Sequence, residues 1–298
     1  MNNIIHHTSC PLCDSADIRV ALTARDHTVS KEEFEIWECG NCTARFTQSI
    51  PESDSIGVYY KSENYISHSN TNQGLVNKLY HRVRRITLEQ KRKLVQKVTG
   101  LQNGNLLDVG AGTGLFVDAM RKAGWKVTGL EPDEAARSRA REMKILLNDA
   151  KDLFQLSAGS FDAITLWHVL EHVHDLHGYL EQMKLLLQQD GKLIIAVPNY
   201  TSADASAYGQ YWAAYDVPRH LYHFSPASMK SLLKQHGFQM HSIHPQWFDS
   251  FYVSMLSEQY KTGKSNLIAG AWNGLRSNLN ALASSDKCSS LIYVAGKK

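Results

Sequence analysis

The chain has 298 residues, 43% of them apolar and 9% aromatic, an ordinary composition for a folded globular protein. A formal charge of +3 is close to neutral at this length and gives no global case for a nucleic-acid or acidic-membrane partner. No run approaches the roughly 20 apolar residues of a spanning helix, and the first residues lack a basic segment followed by an apolar one. The expected partner is a small molecule, and the expected compartment is the cytoplasm.

The first feature along the chain is a pair of knuckles, Cys10-Pro-Leu-Cys13 and Cys39-Gly-Asn-Cys42, around short strand-like runs such as Phe34–Trp37. In a reducing compartment, paired cysteines point to metal or redox chemistry before structural disulfides. Four thiolates on two knuckles suit a closed tetrahedral Zn2+ site of structural type, with an iron–sulfur centre or redox dithiols as the competing readings. A module of about 40 residues buries little core, so a metal would supply much of its stability. Cys288 is expected to be a spare buried thiol. Residues 1–50 therefore read as a metal module and 51–99 as a linker with a lid and a long helix. Residues 100–298 read as the main domain, with an insert near 199–224.

The linker is polar and tyrosine-bearing; Tyr60, Tyr65 and His68 are candidates for a lid over a ligand. Apolar residues at helical spacing predict a helix over Leu75–Val98, stopped by Gly100. From Asn105 the pattern becomes strand–helix alternation. Strands are expected at Asn105–Val109, Trp125–Glu131, Ile145–Leu147, Phe161–Trp167, Lys192–Val197, Phe238–Ile243 and Ser290–Ala295. Helices are expected at Leu115–Ala123, Asp133–Met143, His172–Leu187 and Pro226–His236, the last with Ser225 as N-cap and Gly237 past its end. This order predicts an α/β, doubly wound, mostly parallel sheet of seven strands.

The most informative run is Leu106-Leu-Asp-Val-Gly-Ala-Gly-Thr-Gly114. A strand ends on an acid, and three glycines turn the chain into a helix, which lets the backbone approach a ligand closely. A dinucleotide loop spaces its glycines G-x-G-x-x-G; here the third comes one residue early, and Asp108 precedes the first by two. This spacing resembles motif I of class I S-adenosylmethionine-dependent methyltransferases. The resemblance implies a Rossmann-like fold, with Asp108, Gly110, Gly112 and Gly114 around the amino-acid end of the cofactor; Asp108 could instead be a capping acid. Glu131, closing the next strand in Gly129-Leu-Glu-Pro-Asp133, would hold the ribose hydroxyls, and Asp149 the adenine edge. Ser160–His172, with Trp167 beside the cofactor, and Asp190–Asn199 resemble the family's fourth and fifth strands. The cysteines and the stretch Asp216–Ser225 resemble a bacterial subgroup often encoded near cell-surface polysaccharide and secondary-metabolite genes.

Methyl transfer from a sulfonium needs alignment and, for most acceptors, removal of a proton. His168, Glu171 and His172 follow the fourth strand, where sheets of this type bind ligands. They would share one face if a helix began there. His168 is the favoured base, with His172 and Glu171 beside it and His220 as a rival. The triplet also has metal-ligand spacing. Ubiquinone-pathway O-methyltransferases look similar, but carry an acid at the position of His168, which argues against a magnesium site here. Sugar C-methyltransferases with an N-terminal zinc module resemble the chain at Glu171-His172. The segment 200–224 either lines an acceptor pocket, with Arg219 as an anion clamp beside Tyr215 and Tyr222, or packs as a satellite core.

These readings favour methylation of oxygen or carbon on a sugar, polyketide or phenolic intermediate. The alternative is an RNA methyltransferase that grips its substrate with the zinc module. Eight Lys or Arg against Glu89 alone between Lys78 and Lys97 favour it; the near-neutral chain and the lack of an Asn/Asp-Pro-Pro-aromatic motif do not. A non-catalytic cofactor-binding scaffold is the third reading.

Overall fold

The computed structural model describes residues 4–60, 75–264, 274, 278 and 285–298, with backbone only for 75–81. Tyr65 and His68, expected in a lid, lie outside the described residues. No described helix is long and apolar enough to cross a membrane.

Among the described residues the main sheet has six strands. Strands β6 (Asn105–Val109), β7 (Lys126–Leu130), β8 (Phe161–Trp167) and β9 (Leu187–Pro198) run parallel. Strands β11 (Phe238–Pro245) and β12 (Ser290–Lys297) extend the β9 edge antiparallel, giving the order β11-β12-β9-β8-β6-β7. The central strands are near-continuous apolar runs because both faces are covered. The expected seventh strand at Ile145–Leu147 shrinks to one parallel bridge, Leu130↔Asn148. Lys144 before it takes a positive φ of 61°, Leu146 is 69% exposed, and Asp149 already caps the next helical turn. Four residues between such breaks leave no length for a ladder.

Side-chain alternation splits the core into two layers. Leu106, Ala163, Ile194 and Ile292 face α1 (Leu75–Thr99) and α2 (Leu115–Lys122), meeting Val95, Phe116, Val117 and Met120. Leu107, Val109, Leu166, Ile195 and Val197 face the other way. They join α4 (Leu176–Leu186), α6 (Pro226–Gln235) and the cysteine region in one continuous cluster. That region is built from β1 (Ile4–Ile5), β2 (Ile18–Arg25), β3 (Glu33–Cys39), β4 (Arg45–Thr47) and β5 (Ile50–Pro51). It is tied to the expected insert: β10 (Tyr222–His223) pairs with β4, completing a four-stranded sheet β10-β4-β3-β2.

The aromatic segment resolves as a satellite core. Helix α5 (Ala203–Tyr208) and the turns after it bury Tyr200, Tyr208, Trp212 and Tyr215 against Ala24 and Ile36. Helix α5 was not foreseen, nor was α7 (Asp249–Thr262), which buries Ser250, Ser254 and Ser257 and ends at Gly263 with φ 72°.

Candidate active site

Strands β6 and β8 end side by side, with Asp108 opposite Thr165, so the glycine loop and the turn after β8 share one rim of the sheet. Gly110, Gly112 and Gly114 all have positive φ, between 56° and 76°. They differ in what surrounds them. A Cβ on Gly110 would meet Val169 at 2.4 Å, and one on Gly114 would meet Ile145 at 2.7 Å, so both admit close packing. A Cβ on Gly112 would meet nothing within 4 Å. Gly112 is therefore bare toward open space, as a ligand cradle requires. The Gly112 N–H donates to Glu131 Oε2 at 2.7 Å, and the Asp133 N–H donates to Glu131 Oε1 at 3.0 Å, which puts the Glu131 carboxylate at the mouth of the loop. Arg137 ties this corner together, donating to the Glu131 carbonyl and pairing with Asp149 at 2.9 Å. Asp149 also caps the turn that follows it.

Asp108 is 1% exposed and accepts from Thr165 Oγ1 at 2.6 Å. It caps no helix. Burial pushes its carboxyl up to about 7, against the pull of Thr165 and of the Lys91 ammonium. Lys91, from α1, has its Nζ 4.3 Å from the Trp167 ring centre, and burial lowers its pKa against the fields of Asp249 and Asp108. Trp167 stands edge-on to Phe116, with its indole N–H buried and without a partner.

After β8 the chain turns sharply: His168 has φ 58°, and a 3-10 turn covers Leu170–His172. The helix expected from His172 begins at Leu176, where Asp175 caps it by accepting from the Gly178 N–H. The three candidate side chains therefore do not share a helical face. His168 Nδ1 lies 3.3 Å from Glu171 Oε1, and its Nε2 lies 2.9 Å from Asp249 Oδ2 and 3.2 Å from Gln246 Nε2. Burial works against its charge, but Asp249 and Glu171 outweigh that and lift it to about 10. Carboxylates face both ring nitrogens of His168, which favours the protonated ring over the neutral base that was expected.

Glu171 is fully buried, between His168 on one side and His172 and His220 on the other. The two latter rings meet edge to face with centres 4.6 Å apart. Burial, then the neighbouring His220, push His172 down to about 4.

The segment that supplies His220 corrects two expectations. Arg219 is not an anion clamp. It is 1% exposed, and its guanidinium is consumed by Asp216 at 2.6 and 3.0 Å, Asp26 at 3.2 Å and the Tyr59 carbonyl at 2.8 Å. Tyr215 borders only a cleft of about 10 Å³ beside Arg219 and Tyr260, too small for an acceptor, and Tyr222 is buried. Tyr215 lies edge to face between Trp212 and His223, with its hydroxyl accepting from Arg45, and Tyr222 sits in β10, with its hydroxyl on the His174 carbonyl. Thr47 braces this strand, donating to the His220 carbonyl at 2.7 Å and meeting His223 Nε2 at 3.1 Å. The roles of Lys91, Thr165, Asp249 and Thr47 were not foreseen.

The four knuckle cysteines form one cluster, with ligating sulfurs within 4.8 Å of each other. Cys10–Cys42 and Cys13–Cys39 stand 3.6 and 3.7 Å apart. Sulfurs about 2.3 Å from a tetrahedral zinc lie about 3.8 Å apart, whereas a disulfide needs about 2.05 Å. The two turns match: Asp14 and Thr43, each just past a knuckle, take φ near 60° and donate to the carbonyls of Cys10 and Cys39. Donor set and spacing fit a tetrahedral metal.

Relatives include the ubiquinone biosynthesis O-methyltransferase of Actinobacillus pleuropneumoniae serotype 7, 37% identical over 118 residues, covering 36% of this chain and 50% of that one. The protein of that description from Xanthomonas axonopodis pv. citri is 30% identical over 152 residues, covering 46% and 64%. The chain thus matches between half and two thirds of the length of these curated relatives. Among solved structures, a SAM-dependent methyltransferase from Archaeoglobus fulgidus is 18% identical with TM-score 0.48, over 72% of this chain and 94% of that one. The methyltransferase-domain family matches residues 80–243, more than half of the chain and inclusive of the glycine loop, Glu131 and the turn after β8. The chain belongs to the S-adenosylmethionine-dependent methyltransferase family.

Proposed function

We propose that this protein binds S-adenosylmethionine at the Gly112–Glu131 mouth and methylates an oxygen, or an activated carbon, of a small molecule. The observation that carries the reading is the open Gly112 cradle beside the Glu131 carboxylate, on the rim that also bears Glu171, His172 and His220. The curated relatives, named for O-methylation in ubiquinone biosynthesis, support oxygen over carbon. When bound, the cofactor supplies an electrophilic methyl group on a sulfonium. Glu131 is set to take ribose hydroxyls and Asp149 to lie at the adenine edge, while Asp108, Lys91 and Trp167 shape the inner end of the site.

The acceptor loses its proton at the cluster of Glu171, His172 and His220. Both ring nitrogens of His168 are engaged by carboxylates, so it has no lone pair to offer an acceptor proton. We read it as a fixed cation that holds Glu171 and Asp249 in place. The four cysteines would hold a structural Zn2+, whose role is to keep β4 in place beneath His220.

On the RNA reading, the basic face of α1 would grip phosphates. Lys91 is turned inward onto Trp167, and Arg92 is engaged by Glu89, so that face is thinner than the sequence suggests. The test is methyl transfer from labelled S-adenosylmethionine to a panel of catechols, phenols, sugar nucleotides and RNA. Label is expected in a small hydroxyl compound, and transfer to RNA alone would overturn the proposal.

A further inference from the structure

Of the triplet after β8, the structure keeps Glu171 and His172 together, turns His168 away and brings in His220 from 48 residues downstream. Each of Glu171, His172 and His220 offers one ligating atom, all within 4.8 Å of one another. His172 Nδ1 lies 3.0 Å from the Arg219 carbonyl, and His220 Nδ1 lies 2.8 Å from the Ala214 carbonyl. A carbonyl only accepts, so each Nδ1 carries the proton and each Nε2 carries the lone pair. The Tyr60 hydroxyl, 3.0 Å from the same His172 nitrogen, is then an acceptor. Imidazoles oriented by a backbone carbonyl on the far nitrogen are the usual outer shell of metal-bound histidine.

The carboxylate supplies an independent sign. Glu171 is fully buried; Oε1 meets His168, but Oε2 has no hydrogen-bond partner. A buried unpaired carboxylate oxygen is costly, and a cation beside it removes that cost. Asp216 Oδ2, 3.9 Å from His220 Nε2, adds negative potential.

We propose that Glu171, His172 and His220 bind one divalent first-row transition-metal ion, a site separate from the cysteine cluster. Two imidazoles and one carboxylate suit zinc, cobalt, iron or manganese better than magnesium, which prefers oxygen ligands. Three protein ligands leave coordination positions open, as at catalytic sites. Half-buried His172 gives the site its accessible edge. The inference rests on the methyltransferase reading for its role. An ion held there would lower the pKa of an acceptor hydroxyl so that its proton passes to solvent water near neutral pH; the oxygen would then bond to the methyl carbon while the carbon–sulfur bond breaks, with that bond's electron pair staying on sulfur.

The test is titration of the zinc-loaded protein with Co2+, without cofactor or acceptor. The expected result is one further equivalent showing weak d–d bands and no thiolate charge-transfer band, at least tenfold weaker in Glu171→Gln and in His220→Ala. A thiolate charge-transfer band would mean cobalt has entered the cysteine site only and would overturn the proposal. So would a second equivalent that both variants retain. Should Glu171→Gln fail to fold, His172→Ala makes the same comparison. Because the readout needs no turnover, a cobalt-binding protein that methylates nothing would sink the functional reading alone.

Discussion

Asp108 lets a local conflict be measured. Its carboxylate is 1% exposed, bonded to Thr165, and its pKa is lifted from 3.8 to about 7 by burial. That rise corresponds to about 4 kcal/mol of disfavoured ionisation in the fold, as an order of magnitude. A carboxyl whose folded pKa is raised binds its proton more tightly than the unfolded chain does. Its favourable contribution is therefore complete below about pH 4 and is lost as pH rises through about 7. Asp108→Asn keeps the acceptor for Thr165 and removes the ionisation. Relative to wild type, the ligand-free variant should gain nothing near pH 4 and about 2–4 kcal/mol at pH 8. The assay is urea unfolding of both proteins, with zinc retained, at several pH values. A gain independent of pH, or a loss at pH 8, would refute the reasoning. If Asp108 serves the cofactor, the variant should bind S-adenosylhomocysteine more weakly even as it becomes more stable.

Arg219→Ala should destabilise the protein by about 3–5 kcal/mol in thermal or urea unfolding, because it strands Asp216 and Asp26 in the interior. Unchanged stability with a raised acceptor KM would restore the clamp. Cys39→Ser should remove one equivalent of zinc by elemental analysis and also lower turnover, since β4 braces His220; iron in the fresh wild type would refute the zinc assignment. Thr47→Val, which removes the bond to the His220 carbonyl, should slow turnover several-fold with cofactor affinity unchanged, and a normal rate would show that the brace is idle. His172→Ala should reduce turnover by about 10²–10⁴ with cofactor affinity held, whereas normal turnover would take His172 out of the chemistry.

Sequence alone was most legible where chemistry forces a local pattern. The glycine loop, Glu131 and the knuckles depend on backbone conformations and donor atoms that few residues supply, and the structure places them as the spacing implied. The strands of the main sheet were readable because burial on both faces makes them continuous apolar runs. Helix α7 was hidden because its buried face is serine, Ser250, Ser254 and Ser257, so hydrophobic periodicity has nothing to detect. The surroundings of His168 were hidden for a related reason. Position after β8 was legible, but Asp249, whose charge favours the protonated ring, comes from 81 residues away. Arg219 beside aromatics looked like a ligand site because its partners Asp26 and the Tyr59 carbonyl lie far off in sequence. Local motifs announce backbone-built sites; side-chain charge networks depend on tertiary neighbours.

The central claim is that Gly112 and Glu131 frame a cofactor site, and calorimetric titration with S-adenosylhomocysteine tests it most directly. Native protein should bind one equivalent with a Kd in the micromolar range. Gly112→Val, which fills the open cradle and strains a backbone at φ 56°, should abolish the heat while the far-UV spectrum stays native. Absence of binding to the native protein, or equal binding to the valine variant, would contradict the account.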